Sequence, residues 1–386
     1  MERIDVFLSQ RKADGLLRFL RPADLRKDGK IHYDGSELFD FSSNDYLALS
    51  DHPRLKEASA KALGSFGTSA SASRLLSGDL KLHHQLEDKV AEFKGKESAL
   101  VFNSGYQANV GIISALYDKS DAVFCDRLSH ASIIDAVRQS GAKLFRFNHN
   151  DLSHLKSLLE KENSKFKNRL IVTETVFSMD GDKPPLKELV GIKDKYNCFL
   201  MVDEAHATGI FGTNGAGVVE EQGISGRIEL IMGTFSKALG SFGAYLACSE
   251  KIKQYLVNSC RSFIYSTALP PPVIAANIEA INIVRDEPVR RQTLLANADF
   301  FRTYLRENGF EIKGDSQIVP LIVADSGRAV HLSAELQKSG FWVLPIRPPT
   351  VPHGQARLRF SLTYHHSQQL LGKLADRIFE IMQSEK

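Results

Sequence analysis

Two groups with catalytic potential follow apolar runs that are typical of buried β-strands. Asp203 comes directly after the run 199–202, and Lys237 follows a second run, 230–232, within a few residues. Because ligands of open α/β sheets bind outside the carboxyl ends of the strands, both side chains are expected in one crevice. Beside a partly buried acid, the amine of a lysine can lose basicity and act as a Schiff-base nucleophile. Taken singly, Asp203 could instead cap the next turn, and Lys237 could be an ordinary surface lysine.

An acid and a lysine at two strand ends satisfy the two strongest demands of pyridoxal 5′-phosphate (PLP). The cofactor forms a Schiff base with a lysine, and an acid beside its pyridine nitrogen keeps the ring an electron sink. His206 is placed to bond the phenolic oxygen of the ring, and the hydroxyls of Thr234 and Ser236 are offered to its phosphate. The sequence therefore predicts a PLP site built on Lys237 and Asp203.

Two further strand ends carry residues that suit a phosphate and a flat ring. Residues 103–107 join a predicted strand to a helix, and a helix N-terminus attracts anions. Gly105 in this turn lets the backbone approach a phosphate closely. After the next strand, residues 126–132 include His130, which we expect to cover the second face of the ring. A lone histidine is more often a core or surface residue. His130 is favoured as a ring contact because several consecutive strand ends each supply a suitable residue.

The scaffold of this crevice is predicted to be an α/β sheet. From Ser98 onward, short apolar runs alternate with helical stretches, which is the pattern of that class. Short, mainly apolar runs suit strands covered by helices on both faces, and hence a mainly parallel sheet. Seven such runs are present, at 99–102, 122–125, 144–147, 170–173, 199–202, 230–232 and 245–248.

The alternation of apolar runs and helical stretches ends at the three prolines 270–272. A helical stretch from about Val273 through Arg306 is predicted to lead into a small α+β domain. The first thirty residues are predicted to form an amphipathic helix that packs on the protein surface. Inside the small domain we expect strands at 319–323, 341–344 and 358–362 and helices at 329–338 and 370–382. The expected domains are an N-terminal helix and arm, 1–50, a large PLP-binding domain, 51–272, and a linking helix with a small C-terminal domain, 273–386.

Composition excludes several classes of protein. The 386 residues are 43% hydrophobic and 25% charged, which excludes a disordered chain and a disulfide scaffold. Lys and Arg exceed Asp and Glu by 49 to 46 without a long basic run, so no nucleic-acid track is expected. The four cysteines lack ligand spacing and are expected to be buried, reduced thiols. No apolar segment approaches the length of a membrane span, and we expect a cytoplasmic protein.

Five segments of the chain together match a known set of motifs: 41–47, 126–132, 173–182, 202–209 and 234–240. They resemble the α-oxoamine synthases, a family of fold type I PLP-dependent enzymes. The resemblance extends over essentially the whole chain. It implies a PLP-dependent acyltransferase with a large sheet domain and a small C-terminal domain, working as a homodimer with a shared active site.

The resemblance also implies roles for individual residues. Lys237 would form the Schiff base and Asp203 would bond the pyridine nitrogen. His206 would bind the phenolic oxygen, while His130 would stack on the ring, contact substrate and stabilise developing charge. The other residues that the resemblance places at the cofactor are Gly105, Tyr106, Ser178, Thr234 and Thr267, the last donated by the second subunit. Those it places around the substrate, besides His130, are Arg18, Asn44, Thr350 and Arg359.

Two of these arginines suit substrate anions. The planar fork of a guanidinium matches two carboxylate oxygens, which favours Arg359 as partner of an amino-acid carboxylate. Arg18 could reach the far carboxylate of an acyl chain or a phosphate of its carrier. Arg359 could instead lie on a strand surface without a ligand, and Arg18 could equally lie on a solvated helix face.

The C-terminal part indicates the reaction. Residues 346–352, followed by 357–359, look most like family members of biotin biosynthesis. This resemblance implies decarboxylative condensation of L-alanine with a pimeloyl thioester, carried on coenzyme A or acyl carrier protein, to 8-amino-7-oxononanoate, carbon dioxide and the free thiol. The alternatives are a glycine-using 2-amino-3-ketobutyrate ligase (glycine C-acetyltransferase), a serine-using long-chain acyltransferase and a non-catalytic PLP-binding subunit. Ala70 and Ala72 stand in a loop that is usually glycine-rich in relatives, which bears on the accepted acyl length.

Two other kinds of site are not supported. The glycines of 212–217 follow a loop and lack the spacing of a dinucleotide fingerprint. The pairs His83–His84 and His365–His366 have diverging side chains and no further ligands nearby in sequence, so we expect surface histidines and no metal site.

Overall fold

The computed structural model describes residues 1–162 and 165–384. The chain divides into two compact units. The large unit comprises Leu47–Ser178 and Asp182–Gln292, and the small unit comprises Met1–Tyr46, Met179–Gly181 and Thr293–Lys386.

Helices and strands alternate along much of the described chain. In chain order the helices are α1 Glu2–Ala13, α2 Pro53–Phe66, α3 Lys81–Lys94, α4 Gly105–Leu116, α5 Ala131–Ser140, α6 Leu152–Glu162, α7 Leu186–Lys195, α8 Val218–Glu221, α9 Glu250–Ser259, α10 Arg261–Ile264, α11 Pro271–Asp286, α12 Pro288–Glu307, α13 Ser326–Lys338 and α14 Gln368–Ser384. The strands are β1 Leu25–Lys27, β2 Lys30–Tyr33, β3 Ser36–Asp40, β4 Ser98–Phe102, β5 Ala122–Asp126, β6 Lys143–Phe147, β7 Arg169–Glu174, β8 Phe199–Asp203, β9 Leu230–Thr234, β10 Ala244–Cys248, β11 Ile318–Ala324, β12 Phe341–Trp342, β13 Pro345–Ile346 and β14 Ala356–Ser361.

A seven-stranded sheet forms the centre of the large unit. Its strand order is β4-β10-β9-β8-β7-β5-β6, and β10 alone runs antiparallel to its neighbours. Each of the seven predicted apolar runs lies in one of these strands, so the predicted mainly parallel sheet is confirmed. Since β5, β7, β8 and β9 are parallel, their carboxyl ends share one edge of the sheet.

An apolar cluster fixes these strands against helices α4, α5, α9 and α10. Ile112 of α4, Ile133 of α5 and Leu256 of α9 are fully buried there, together with Met201 of β8. Because the helices that follow β4 and β5 are held by this packing, their N-terminal turns are fixed at the carboxyl edge of the sheet.

The small unit holds two small sheets. One has the order β1-β2-β3-β12, in which β12 pairs parallel with β3. The other has the order β11-β14-β13 and is antiparallel. The strands and helices predicted between residues 319 and 382 are present, except that only the first half of the predicted run 341–344 is a strand, β12, and β13 begins after the run has ended.

Two predicted helices differ from the structure. The stretch from Val273 to Arg306 is two helices, α11 and α12, separated at Glu287. Pro288 causes the break, because a proline removes a backbone donor and disfavours helical geometry in the residue before it. The N-terminal helix ends at Ala13 rather than extending over thirty residues, and Gly15 follows with a φ of 65°. None of the residues of α1 is buried, so α1 has no face packed tightly against the rest of the described chain.

Two of the four paired histidines are buried, and so are all four cysteines. The prediction of surface histidines is wrong for two of them: His83 is buried against the carbonyl of Leu269, and His366 is buried and stacked on Phe41 with ring centroids 4.0 Å apart. The cysteines are free and buried, as expected. Among the described residues, no helix is long and apolar enough to cross a membrane, and no cluster of His, Cys, Asp or Glu side chains is arranged to hold a metal ion.

Candidate active site

Four ionisable groups of the large unit lie together at the carboxyl edge of the sheet. Asp203 ends β8 and Glu174 ends β7, and the two are direct partners in the strand register. His130 follows β5 and Lys237 follows β9. The pKa of His130 responds to the charges of Asp203 and Lys237, and that of Glu174 to the same two groups. The structure therefore brings the predicted Lys237, Asp203 and His130 together.

Asp203 is a buried carboxylate held by neutral donors. It is 6% exposed; the N–H of Ala205 donates to Oδ1 at 2.9 Å, and Nδ2 of Asn109 donates to Oδ2 at 3.1 Å. In the described part of the chain no cation lies within ion-pair distance of it. A buried anion held by neutral donors suits a protonated pyridine nitrogen, because an opposite charge beside that nitrogen favours its charged form.

His130 caps the N-terminus of α5 and is oriented at several points. Its backbone N–H donates to Oε1 of Glu174 at 2.7 Å, and its Nδ1 lies 2.8 Å from Oγ of Ser132. The imidazole pKa is below its ordinary value, first because protein displaces water around the ring and also because Lys237 is near, against the opposing charge of Asp203. His130 is thus a neutral, oriented ring with a surface still exposed to solvent.

Glu174 is a residue of this site that the sequence analysis did not identify. Its carboxyl is buried, and burial, reinforced by the charge of Asp203, raises its pKa to about 8. Two adjacent buried carboxyls cannot easily both ionise, so Glu174 holds its proton at neutral pH. The signal was present in the sequence, since Glu174 follows the run 170–173 as directly as Asp203 follows 199–202.

A buried polar chain links Asp203 to His130 and was also not predicted. Asn109 on α4 donates to both Asp203 and Oγ of Ser132, the latter at 3.0 Å, and Ser132 contacts the His130 ring. The remaining amide oxygen of Asn109 is buried and has no hydrogen-bond partner in the described structure. The available signal in the sequence was an asparagine placed among the apolar residues of α4.

The predicted phosphate residues lie at two places on the same edge. Gly105 begins α4, with Ser104 as N-cap accepting from the N–H of Gln107 at 3.2 Å. A Cβ at Gly105 would meet only Cε of Met232, at 3.9 Å, so internal packing does not require a glycine there. The Thr234 hydroxyl bonds the carbonyl of Gly243 at 2.7 Å and Oγ of Ser236 at 3.1 Å.

The other predicted cofactor residues have distinct environments. His206 is buried after β8, and Ser178 is half-buried in the loop after β7. Tyr106 is exposed, and its hydroxyl donates to Asp135. Thr267 is exposed, and its carbonyl accepts from Nδ2 of Asn103 of the same chain at 2.9 Å.

Glu204 and Lys94 fix the loop that carries Asp203 and His206. Nζ of Lys94, at the end of α3, donates to Oε2 of Glu204 at 2.7 Å and to Oγ1 of Thr208 at 3.0 Å. The two charged side chains are 1% and 0% exposed. This buried ion pair therefore holds the turn between two of the proposed cofactor contacts.

The predicted substrate residues other than His130 belong to the small unit. The guanidinium of Arg359 on β14 is buried and donates to Oδ1 of Asn44 at 3.3 Å and to the hydroxyl of Tyr46 at 3.1 Å. The guanidinium of Arg18 donates to Oγ1 of Thr350 at 3.1 Å. The structure thus pairs Arg359 with Asn44 and Arg18 with Thr350, two of the predicted residues in each case.

A cavity of about 570 Å³ in the small unit adjoins the second pair. Its wall is partly apolar, with Ile31 and Trp342 among the lining residues, and it carries four arginines. Arg26 contacts Asp40 at 3.5 Å. The pKa of the Arg347 guanidinium is lowered by burial and by the charges of Arg18, Arg21 and Arg11. Mutually repelling guanidiniums beside an apolar wall favour an anionic ligand.

A family model for aminotransferase class I and II matches residues 36–378. The chain belongs to the aminotransferase class I and II family. Among its relatives is the 8-amino-7-oxononanoate synthase of Geotalea daltonii, 47% identical over 364 residues that cover 94% of this chain and 93% of the relative. The predicted membership of the α-oxoamine synthases is confirmed within this family.

Solved structures of the family agree with the fold. A serine palmitoyltransferase variant from S. paucimobilis, solved with bound PLP and myriocin, has a TM-score of 0.93 and 30% identity, covering 99% of this chain and 97% of that one. The 8-amino-7-oxononanoate synthase of Francisella tularensis has a TM-score of 0.78 and 31% identity, covering 90% and 98%. The predicted fold type I architecture is confirmed, and PLP is the cofactor of this family member. The buried Asp203, the lysine near it and the open N-terminus of α4 fit that cofactor.

Proposed function

We propose that this enzyme condenses L-alanine with a pimeloyl thioester, releasing carbon dioxide and the free thiol carrier, to give 8-amino-7-oxononanoate for biotin biosynthesis. The observation that carries the proposal is the grouping of Lys237, Asp203 and His130 at one sheet edge, in a chain 47% identical to synthases of that name. The enzyme is accordingly a PLP-dependent acyltransferase.

We assign each residue of the large unit a task at the cofactor. When bound, PLP supplies an electron sink for a carbanion at the amino-acid α-carbon. Lys237 would hold the cofactor through Nζ, and the same amine would take up the α-proton of the amino acid. Asp203 keeps the pyridine nitrogen protonated. His130 covers the ring and donates a hydrogen bond to the oxygen on which charge develops.

Further contacts of the large unit are proposed to orient the cofactor. His206 donates to its phenolic oxygen, and the N-terminal turn of α4 at Gly105 and Tyr106 receives its phosphate together with Ser178 and Thr234. The exposed N–H groups of a helix N-terminus favour an anion.

The small unit supports the choice of substrates. Arg359 is buried among neutral oxygens of Asn44 and Tyr46, and we propose that it binds the alanine carboxylate in a bidentate manner. Arg18 and Thr350 adjoin a partly apolar cavity with further arginines, and we propose that this cavity receives the pimeloyl chain. Coenzyme A and acyl carrier protein both present such a chain through a thioester.

We also propose a homodimer with a shared site. Large apolar side chains are exposed near Thr267 on segments that the Ser73–Thr267 bridge and the Asn103–Thr267 bond join. We call them the apolar face: Leu75, Leu76, Tyr106 and Tyr265. Exposed apolar patches of this kind are typical of subunit interfaces, and a second copy seated there brings its Thr267 to the phosphate.

The reaction is tested by comparing three amino acids. Purified enzyme is incubated with pimeloyl-CoA and L-alanine, glycine or L-serine, and thiol release and the amino-ketone product are followed by absorbance and mass spectrometry. We expect turnover with alanine to exceed that with the other two. Faster turnover of glycine or serine would assign the enzyme to another α-oxoamine synthase reaction, and no turnover with any of them would refute the proposal.

A further inference from the structure

His149 lies between two carboxylates of the large unit and bonds both. Its Nδ1 lies 3.0 Å from Oδ1 of Asp126, and its Nε2 lies 2.7 Å from Oδ2 of Asp182. The edge-to-face ring of Phe177, with centroids 4.5 Å apart, packs against the imidazole. A histidine that donates from both nitrogens is an imidazolium.

Each carboxylate belongs to a loop that carries a proposed active-site residue. Asp126 ends β5 and accepts the N–H of Leu128 at 2.8 Å, and its carbonyl accepts the N–H of Ser129, so it shapes the turn that leads to His130. The carbonyl of Asp182 accepts the N–H of Phe177 at 3.0 Å, which closes the loop that contains Ser178. His149 therefore links the turn of His130 to the loop of Ser178 through hydrogen bonds to both carboxylates.

Charge strengthens this link. Asp126 is completely buried, and the neighbouring Asn150 donates its backbone N–H to Asp126 at 2.9 Å and its amide to Asp182 at 3.0 Å. The hydrogen bonds and charges of the two carboxylates outweigh burial and raise the pKa of His149 to about 10. The charged groups in contact with the imidazole are these two carboxylates, one from the end of β5 and one from the loop after β7; Phe177 and Asn150 are the uncharged neighbours.

We propose that His149 is a positioning residue that, as a doubly bonded imidazolium, clamps the His130 turn to the Ser178 loop and so sets the geometry in which PLP is bound. It does not touch the cofactor itself. The proposal rests on the proposed function only for its effect on turnover, since PLP affinity is measured without any substrate.

The first test replaces His149 with glutamine. A glutamine side chain is neutral and cannot donate from two opposite atoms, so it cannot join both carboxylates as an ion. Titration of the apo-protein with PLP, followed by absorbance, is expected to show about tenfold weaker binding, with kcat lowered and KM for alanine changed less. His154→Gln is the matched control, because His154 accepts one backbone N–H, from Asn148, and contacts neither carboxylate. Its PLP affinity should stay near that of the parent enzyme.

The second test uses Asp182→Asn, which removes one charge while keeping the shape of the side chain. The pKa of His149 should fall towards its ordinary value, so the clamp should lose its charge as pH rises from about 7 to about 9. The ratio of the PLP dissociation constant of this variant to that of the parent is expected to increase over that range, which a merely structural contact would not cause.

The outcomes test the role of His149 separately from the proposed reaction. PLP affinity and kcat unchanged in His149→Gln would overturn the proposal, even if thermal stability were lower. Should that variant fail to fold, a pH-independent ratio for Asp182→Asn would overturn it equally. If the parent enzyme binds PLP but does not turn over alanine, the proposed reaction fails while the clamp is still tested by cofactor affinity.

Discussion

At the scale of single residues, Asp203 is the one whose negative charge matters most to the proposed chemistry. Its two carboxylate oxygens each receive one neutral donor, so asparagine keeps the size of the side chain and removes the negative charge. We expect Asp203→Asn to fold normally by circular dichroism and to lose at least about a hundredfold in kcat. A variant that keeps a near-normal kcat would refute the assigned role.

Glu174 makes a separate prediction about stability and pH. The folded protein holds the proton of this carboxyl up to a pKa of about 8, whereas the ordinary value is 4.5. Between these values the folded state binds more protons than the unfolded state, so this group makes the free energy of unfolding fall as pH rises. Glu174→Gln should remove that dependence in the apo-protein.

Urea unfolding at several pH values across that window measures the effect. Glu188→Gln on the exposed side of α7 is the control and should keep the pH dependence of the parent protein. If Glu174→Gln shows the same fall in stability with pH as the parent, Glu174 does not hold a proton at neutral pH.

Site residues that directly follow apolar runs could be predicted from the sequence, whereas site residues that lie on helices could not. Asp203, Lys237 and His130 were found from their positions after strands. Asn109 and Ser132 act from α4 and α5, where a polar residue is usual and its partner depends on helix packing. His149 was missed because both of its partners are distant in sequence.

At the scale of elements, the Lys94–Glu204 pair connects α3 to the loop after β8. Lys94→Met leaves a buried carboxylate without its cation, which is expected to cost about 3–5 kcal/mol of unfolding free energy. Glu204→Gln added to it should recover part of that loss, because a neutral amide still accepts the N–H of Val219. Urea unfolding measures both variants, and a double variant no more stable than Lys94→Met would contradict the account.

Element types were easier to predict than element ends. Each predicted strand of the large sheet is present, because short, mainly apolar runs suit strands of a sheet that is covered on both faces. The helix predicted from Val273 to Arg306 failed at Pro288, a signal that was in the sequence. The short strands β1 to β3 were not predicted: β1 is exposed throughout, and the apolar positions of β2 and β3 are too few to distinguish a strand from a loop.

At the scale of the whole molecule, the apolar face predicts a dimer. Leu76 is 79% exposed, and replacement by glutamate should place a charge in the interface and shift the enzyme towards monomer in light scattering. PLP affinity should fall with it, because Thr267 is proposed to act across the interface. Phe379→Glu, at an exposed position of α14, is the control and should leave the mass unchanged. A monomeric parent enzyme with full activity would refute the shared site.

The fold class, the cofactor and the family were all accessible from the sequence, because motifs at successive strand ends are local. The proposed dimer was suggested only by resemblance, since an exposed leucine such as Leu76 has no distinguishing pattern in a single chain. The linkage of distant loops by His149 required the three-dimensional structure.

The most direct test of the central claim is to locate the cofactor on the chain. The enzyme is saturated with PLP, reduced with borohydride and digested, and the peptides are analysed by mass spectrometry. We expect a pyridoxyl-phosphate group on the peptide that contains Lys237, and its loss in Lys237→Ala. Modification of a different lysine, or none in an enzyme that binds PLP, would contradict the account.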